Sequence, residues 1–386
     1  MIPIYKDPTK SIEERVQDLL PRMTLDEKIR EMHLFTRPTT RFPDHKPGTK
    51  FTAEEVEPML EHGCSMYTTD SAPAELINGL QDYMLHETRL GIPFTVHGEA
   101  LHGAMNENAT VFPNPIAMAA TFDEGLILET ATAVGEEERA NGVRQVYAPN
   151  LDLSQEPRWG RCEENFGEDP YLTSRMGVSY VKGLQANGVA ASPKHYAAHG
   201  NPQGGLNMAT IHCGERELRE TYLYPFKKAF TEGGAWSVMP AYHEMDGVPC
   251  HSNYHLLTEI LRDEFGLKGP VISDWNGITR IHALHRVAET PEEAGEMALR
   301  AGVDVEAPGI FGYGEGFKEL VKAGKIPMEL VDRAVGRVLW LKFKLGLFED
   351  PYALPEEEKK KHCRTKEHLD LSRHVEEEGA VLLKNE

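Results

Sequence analysis

One segment of this chain joins a carboxylate and an indole at the end of a short apolar run: Gly269-Pro270-Val271-Ile272-Ser273-Asp274-Trp275. Val271 and Ile272 read as a buried parallel strand. Asp274 then falls at the strand's C-terminal end, where α/β barrels place their reactive groups. An aromatic ring packs on the C–H face of a pyranose, and a carboxylate can meet the positive charge that develops at an anomeric carbon. The competing reading makes Asp274 a helix N-cap, a position Asp also favours.

Other polar residues end apolar runs in the same way: His97 and Glu99, Asn150 and Asp152, Lys194 and His195, Tyr242, and Asp304 with Glu306. Each has a loop or capping explanation of its own. Gathered on one rim of a barrel, they read as a site. The 17 histidines include no H-E-x-x-H, and pairs such as His195/His199 and His282/His285 read as helix-face or loop residues, so no metal is expected. Cys64, Cys162, Cys213, Cys250 and Cys363 show no C-x-x-C spacing and read as reduced structural thiols. No G-x-G-x-x-G follows an early strand, and the glycine-dense stretch 309–316 reads as a loop, so no cofactor is expected either.

The elements that must position these residues alternate along the chain. Ser11 and Thr24 open capping-box patterns ahead of apolar residues at helical spacing. Short apolar runs follow at 64–67, 93–97, 145–149, 189–193, 236–241, 270–274 and 302–306, with a further strand candidate at 114–119. Helical stretches at 126–141, 171–187, 215–232, 255–265 and 291–301 lie between most of them. Such alternation predicts parallel β/α units. The fold class expected is α/β, a (β/α)8 TIM-like barrel over residues 1–352, with a doubly wound open sheet as the competing architecture.

Residues 353–386 read differently, as a charged linker, a helix over 366–378 and a final apolar strand at 380–383. An apolar strand with nothing to pair it is an aggregation hazard. The expectation is therefore that the chain stops at the start of a second α/β domain, with a tail folded back on the barrel as the alternative.

Composition narrows the partners. A net charge of −20 disfavours nucleic acid and anionic membranes, and no run of 18 apolar residues exists to span a bilayer. The first residues lack the apolar core of a secretory signal, which predicts a cytoplasmic protein or one whose leader is removed. A homo-oligomer stays open.

Several motifs line up with one family. Gly98-Glu99-Ala100-Leu101-His102-Gly103, the run from Pro157 through Arg158-Trp159-Gly160-Arg161 to Pro170, Lys194-His195-Tyr196, Ser237-Val238-Met239-Pro240-Ala241-Tyr242 and Val271-Ile272-Ser273-Asp274-Trp275 occur in order. Together they resemble the barrel domain of glycoside hydrolase family 3, with its retaining β-glucosidases and β-xylosidases. The tail Val381-Leu382-Leu383-Lys384-Asn385 resembles the first strand of that family's second domain, an α/β sandwich.

The resemblance implies that Asp274 is the nucleophile of a retaining, exo-acting β-glycosidase, forming a glycosyl-enzyme intermediate. It implies that Arg161, Lys194 and His195 hold sugar hydroxyls, that Tyr242 donates to the nucleophile, and that Met239 and Trp275 line the apolar face. Arg158 is expected to pair with Glu163, Glu164 or Glu168. Glu99 departs from the Asp that many family glucosidases carry here. Its extra methylene fills space a C6 hydroxymethyl would occupy, and in the family Glu here accompanies xylosidase activity. A methylene is worth ~1–3 kcal/mol of discrimination, so the reading leans to β-xylosidase with β-glucosidase close behind. The acid/base carboxyl is expected from the second domain; His199, Glu168 and Glu306 are the in-chain substitutes. Without that carboxyl, the alternative is a sugar-binding barrel that does not turn over.

Overall fold

The computed structural model describes residues 2–36, 42, 45–46, 48–60, 65–67 and 72–386. Its contacts divide the chain into two compact units. One comprises Met1–His97, Gly142–Arg144 and His251–Pro355; the other comprises Gly98–Asn141, Gln145–Cys250 and Glu356–Glu386.

In the first unit, helices begin where the capping boxes mark them. Ser11 Oγ accepts from the Glu14 amide at 3.2 Å, and the Glu14 carboxylate accepts from the Ser11 amide at 2.9 Å. Thr24 and Glu27 repeat the exchange ahead of the helix Leu25–Glu31. Parallel pairing then joins β1 (Leu34–Thr36) to β2 (Ser65–Tyr67) and β2 to β3 (Thr95–Gly98). On the other side of β1, His33 bridges Glu306, and Val305 bridges Ile272, again in parallel. Strand β1 was not among the expected strands. It has only three residues, too few for a period to show, yet Leu34 and Phe35 are both buried. A fully buried ion pair, Lys342 with Glu31 at 2.5 Å, ties the helix Met328–Lys344 to the helix Leu25–Glu31.

The second unit is built on β4 (Gln145–Val146) and β5 (Ala190–Ala191), parallel to each other, with further parallel bridges Asn150 to Lys194 and Tyr196 to Pro240. Its helices Glu124–Ala140 and Pro170–Ala186 are capped by Asp123 and Asp169. They pack backbone to backbone: a Cβ on Gly183 would lie 2.6 Å from Ala131 Cβ, and one on Gly135 3.1 Å from Leu184 Cα. Only glycine permits so close an approach. A hairpin of β6 (Glu244–Met245) and β7 (Val248–Pro249) turns through Asp246 and Gly247, both at positive φ, as an Asp-Gly turn demands.

Some expectations need correction. Residues 114–119 contribute a helix, Pro115–Ala119, because Pro115 takes the first helical position, where its missing N–H costs nothing. The runs 236–241, 270–274 and 302–306 supply single parallel bridges rather than strands. The tail 380–383 forms no strand: Val381, Leu382 and Leu383 are 64%, 74% and 93% exposed, and a lone extended segment has no ladder to satisfy its backbone. The helix Lys366–Glu378 does form, capped by Thr365 and held to the second unit by a 2.8 Å bond between His368 Nδ1 and Glu137. Part of the run 64–67 is β2, and Cys64 lies outside the described residues; the remaining cysteines are free thiols. Among the described residues no helix is long and apolar enough to cross a membrane.

Candidate active site

The second unit gathers most of the expected sugar-binding side chains. Glu99 follows β3 and Lys194 follows β5; Lys194 Nζ donates to Glu99 Oε2 at 2.6 Å. The ammonium is buried and the carboxylate partly exposed. The pair therefore fixes a point charge and offers a carboxylate edge outward.

Arg161 begins a short helical turn, Cys162–Glu164, that points its guanidinium back on Glu164. Nε and Nη2 meet the two carboxylate oxygens at 2.8 and 2.7 Å, a bidentate fork. Burial works against Glu164 ionising, but Arg161's hydrogen bonds and charge outweigh it and hold the carboxyl below its usual range. Arg161 Nη2 also lies 3.3 Å from His195 Nε2. His195 Nδ1 in turn meets Asp152 Oδ2 at 2.7 Å, with both side chains buried.

That chain of contacts decides a tautomer. Burial, with the Arg161 cation second, pushes His195 well below its usual range, so the ring is neutral. Burial also drives the Asp152 carboxyl upward. A protonated Asp152 would have to donate to Nδ1, which turns a ring N–H toward the guanidinium, donor against donor. Hydrogen-bond geometry favours an ionised Asp152 that accepts from Nδ1–H, leaving the Nε2 lone pair for Arg161. His195 thus lies against Arg161 and is itself held by Asp152. Tyr242 stacks near His195 at 6.3 Å between ring centres, and Met239 is buried on the backbone that pairs with Tyr196.

The first unit holds Asp274 and Trp275, just beyond the parallel bridge of Ile272 to Val305. Asp274 is 6% exposed, and its Oδ1 accepts from the Trp275 amide at 2.6 Å. Its own amide donates to His251 Nε2 at 3.1 Å. Gly277 has no room for a Cβ because the His251 ring occupies that space. Asn276 takes a left-handed φ of 59° ahead of the helix Gly277–Ala283, and no side-chain cap bond forms there. The N-cap alternative for Asp274 thus gives way: the helix begins later, at Asn276.

The three in-chain acid/base substitutes resolve differently. Glu306 accepts from the Phe311, Gly312 and Tyr313 amides at 2.9–3.1 Å, so both its oxygens are consumed by backbone. His199 Nδ1 meets His243 Nδ1 at 3.1 Å, and both rings are buried. Glu168 is exposed. Arg158 pairs with Glu156 at 2.6 Å, not with the expected Glu163, Glu164 or Glu168, and Glu164 is taken by Arg161. Sequence reasoning missed His251, which no motif marked, and the support that Asp152 gives His195.

The profile of the Glycosyl hydrolase family 3 N terminal domain matches residues 24–341. A putative beta-xylosidase of Formosa agariphila is 36% identical over 99% of this chain and 52% of its own length. A periplasmic beta-glucosidase of Salmonella typhimurium is 34% identical over 96% of this chain and 48% of its own. A solved β-glucosidase from Erythrobacter marinus superposes with a TM-score of 0.91 at 36% identity, covering 99% of this chain and 51% of that one. The chain spans about half the length of the curated relatives it matches.

Proposed function

The chain belongs to glycosyl hydrolase family 3, and from that premise we propose that the full-length protein is a retaining, exo-acting β-glycosidase. The reading is carried by Asp274, a nearly buried carboxylate two residues beyond a parallel bridge and followed directly by an indole. We infer, too, that the parallel segments of the two units belong to one (β/α)8 barrel within residues 1–352, with 353–386 leading onward from it.

In this reading the Asp274 carboxylate attacks the anomeric carbon while the C1–O bond to the leaving group breaks. The departing oxygen takes a proton from a general acid. Water, deprotonated by the same group, then attacks C1, releasing Asp274 and a sugar of retained configuration. Arg161, Lys194 and His195 bind sugar hydroxyls, with His195 also bracing Arg161, Tyr242 donates to the nucleophile, and Met239 and Trp275 cover the apolar face. The acid/base comes from a second domain of the full-length protein, as the family resemblance implies. Glu306 is unsuited, since three backbone amides already hold its carboxylate.

Terminal β-xylosides are the favoured substrates because Glu99 fills space a C6 hydroxymethyl needs. The β-glucosidase names among the relatives favour the second reading, β-glucosides. Rates for matched aryl β-xyloside, β-glucoside and N-acetyl-β-glucosaminide substrates on the full-length protein test the proposal. The xyloside should have the highest kcat/KM, and Glu99→Asp should move the ratio toward the glucoside. An unchanged ratio sinks the xylose preference, and no turnover of any substrate, or inverted product, sinks the glycosidase reading.

A further inference from the structure

The backbone that carries Glu99 rests on buried polar groups that the proposed chemistry does not use. At the end of β3, a Cβ on Gly98 would lie 2.9 Å from Glu138 Oε1 and 3.2 Å from Oε2, so the strand passes directly over that carboxyl. Ala100 is buried at φ 58°, a conformation side chains larger than glycine's seldom hold without outside support. The support is visible. Tyr180 Oη lies 2.7 Å from the Ala100 carbonyl and 3.1 Å from the Leu101 carbonyl, so one hydroxyl serves two consecutive acceptors. Tyr180 is fully buried on the helix Pro170–Ala186, and Glu138 is buried on the helix Glu124–Ala140. These are the two helices locked together through Gly135 and Gly183.

Glu138 is an odd choice for a purely structural wall. Neither of its carboxyl oxygens has a hydrogen-bond partner among the described residues, and such a group costs stability that an apolar residue would not. Burial, then the charges of Glu137 and Glu99, push it up to about 8, so at neutral pH it is protonated and sets no second negative charge behind Glu99. Glu99 meanwhile must place its carboxylate within 2.6 Å of Lys194 Nζ. A shift of the 98–101 backbone passes straight to that carboxylate.

We propose that Tyr180 and Glu138 are positioning residues that fix the backbone beneath Glu99, and so set how sharply the site separates pentosides from hexosides. The proposal rests on the glycosidase reading above. Both residues act through Glu99 and touch no sugar.

The test is a double-mutant cycle in the full-length enzyme, read as the ratio of kcat/KM for aryl β-xyloside over aryl β-glucoside. Tyr180→Phe should change that ratio at least threefold with kcat for the better substrate nearly kept, and should change it little in a Glu99→Ala background. Glu138→Ala, which empties the space under Gly98, should shift the ratio the same way and serves if Tyr180→Phe does not fold. A lowered melting temperature with the ratio intact, or an equal shift in both backgrounds, overturns the proposal. If the unaltered enzyme hydrolyses neither substrate, the glycosidase reading fails first and this inference falls with it.

Discussion

Asp274 and Glu306 end neighbouring parallel segments, paired through Ile272 and Val305, and are 6% and 2% exposed. Their surroundings differ in one respect. The loop after Glu306 folds back so that three successive amides, Phe311 to Tyr313, point at its carboxylate. The chain after Asp274 turns through Asn276 into a helix, and the carboxylate takes the Trp275 amide. Asp304, two residues before Glu306, is consumed as well, by Arg262 at 2.8 Å, Arg337 at 2.9 Å and the Val271 amide at 2.8 Å. A strand-end carboxylate is therefore not a site by position alone. Glu306 is held by three amides of the loop behind it and Asp304 by two arginines and the Val271 amide, whereas Asp274 is followed directly by an indole.

The comparison predicts opposite outcomes for the two residues. Asp274→Ala in the full-length enzyme should lower kcat by at least about 10³-fold while the melting temperature stays close to that of the parent. Glu306→Ala should do the reverse. It leaves three inward-facing amides without their acceptor, costing about 2–3 kcal/mol of stability, read as a clear fall in Tm. Its kcat at a temperature where it is folded should stay within about threefold of the parent. If Glu306→Ala kills turnover without moving Tm, the two assignments must be exchanged.

Asp152→Asn probes the support behind the sugar-binding side chains. An amide can donate to His195 Nδ1, which forces the wrong tautomer toward Arg161; activity should drop by roughly 10–100-fold, mostly in KM. Wild-type kinetics would mean that Arg161 needs no such brace.

The smallest effect is a pH dependence at Glu138. Its folded pKa, about 8, lies above the ordinary 4.5, so between those values the native chain keeps a proton that the unfolded chain has lost. Stability then falls as pH rises through that window. Glu138→Gln, neutral throughout, should match the parent near pH 4.5 and exceed it by a margin that grows as pH rises toward 8. A gap that does not widen with pH would mean the buried carboxyl is ionised.

Much of this was legible in the chain. Capping boxes at Ser11 and Thr24 and the N-caps Asp123 and Asp169 act locally, so the sequence near them suffices. The run ending at Asp274 was readable because both faces of its backbone are buried, leaving an unbroken apolar string. Strand β1 was not, being three residues between a helix and a loop. Residues 114–119 misled because a short apolar run fits helix or strand, and Pro115 alone marked the difference. The Asp-Gly pair at 246–247 is a hairpin signal legible in the sequence. His251 and the Glu306 loop depend on contacts made across long separations, which no local pattern encodes.

Trapping the intermediate tests the central claim most directly. An activated 2-deoxy-2-fluoro-β-xyloside slows both steps, since fluorine at C2 opposes positive charge at C1, while its leaving group speeds the first. Peptide mass spectrometry of the treated full-length enzyme should find one fluorosugar per chain, esterified to Asp274. A label on Glu306 or any other carboxylate, or turnover with inversion and no label at all, would contradict the account.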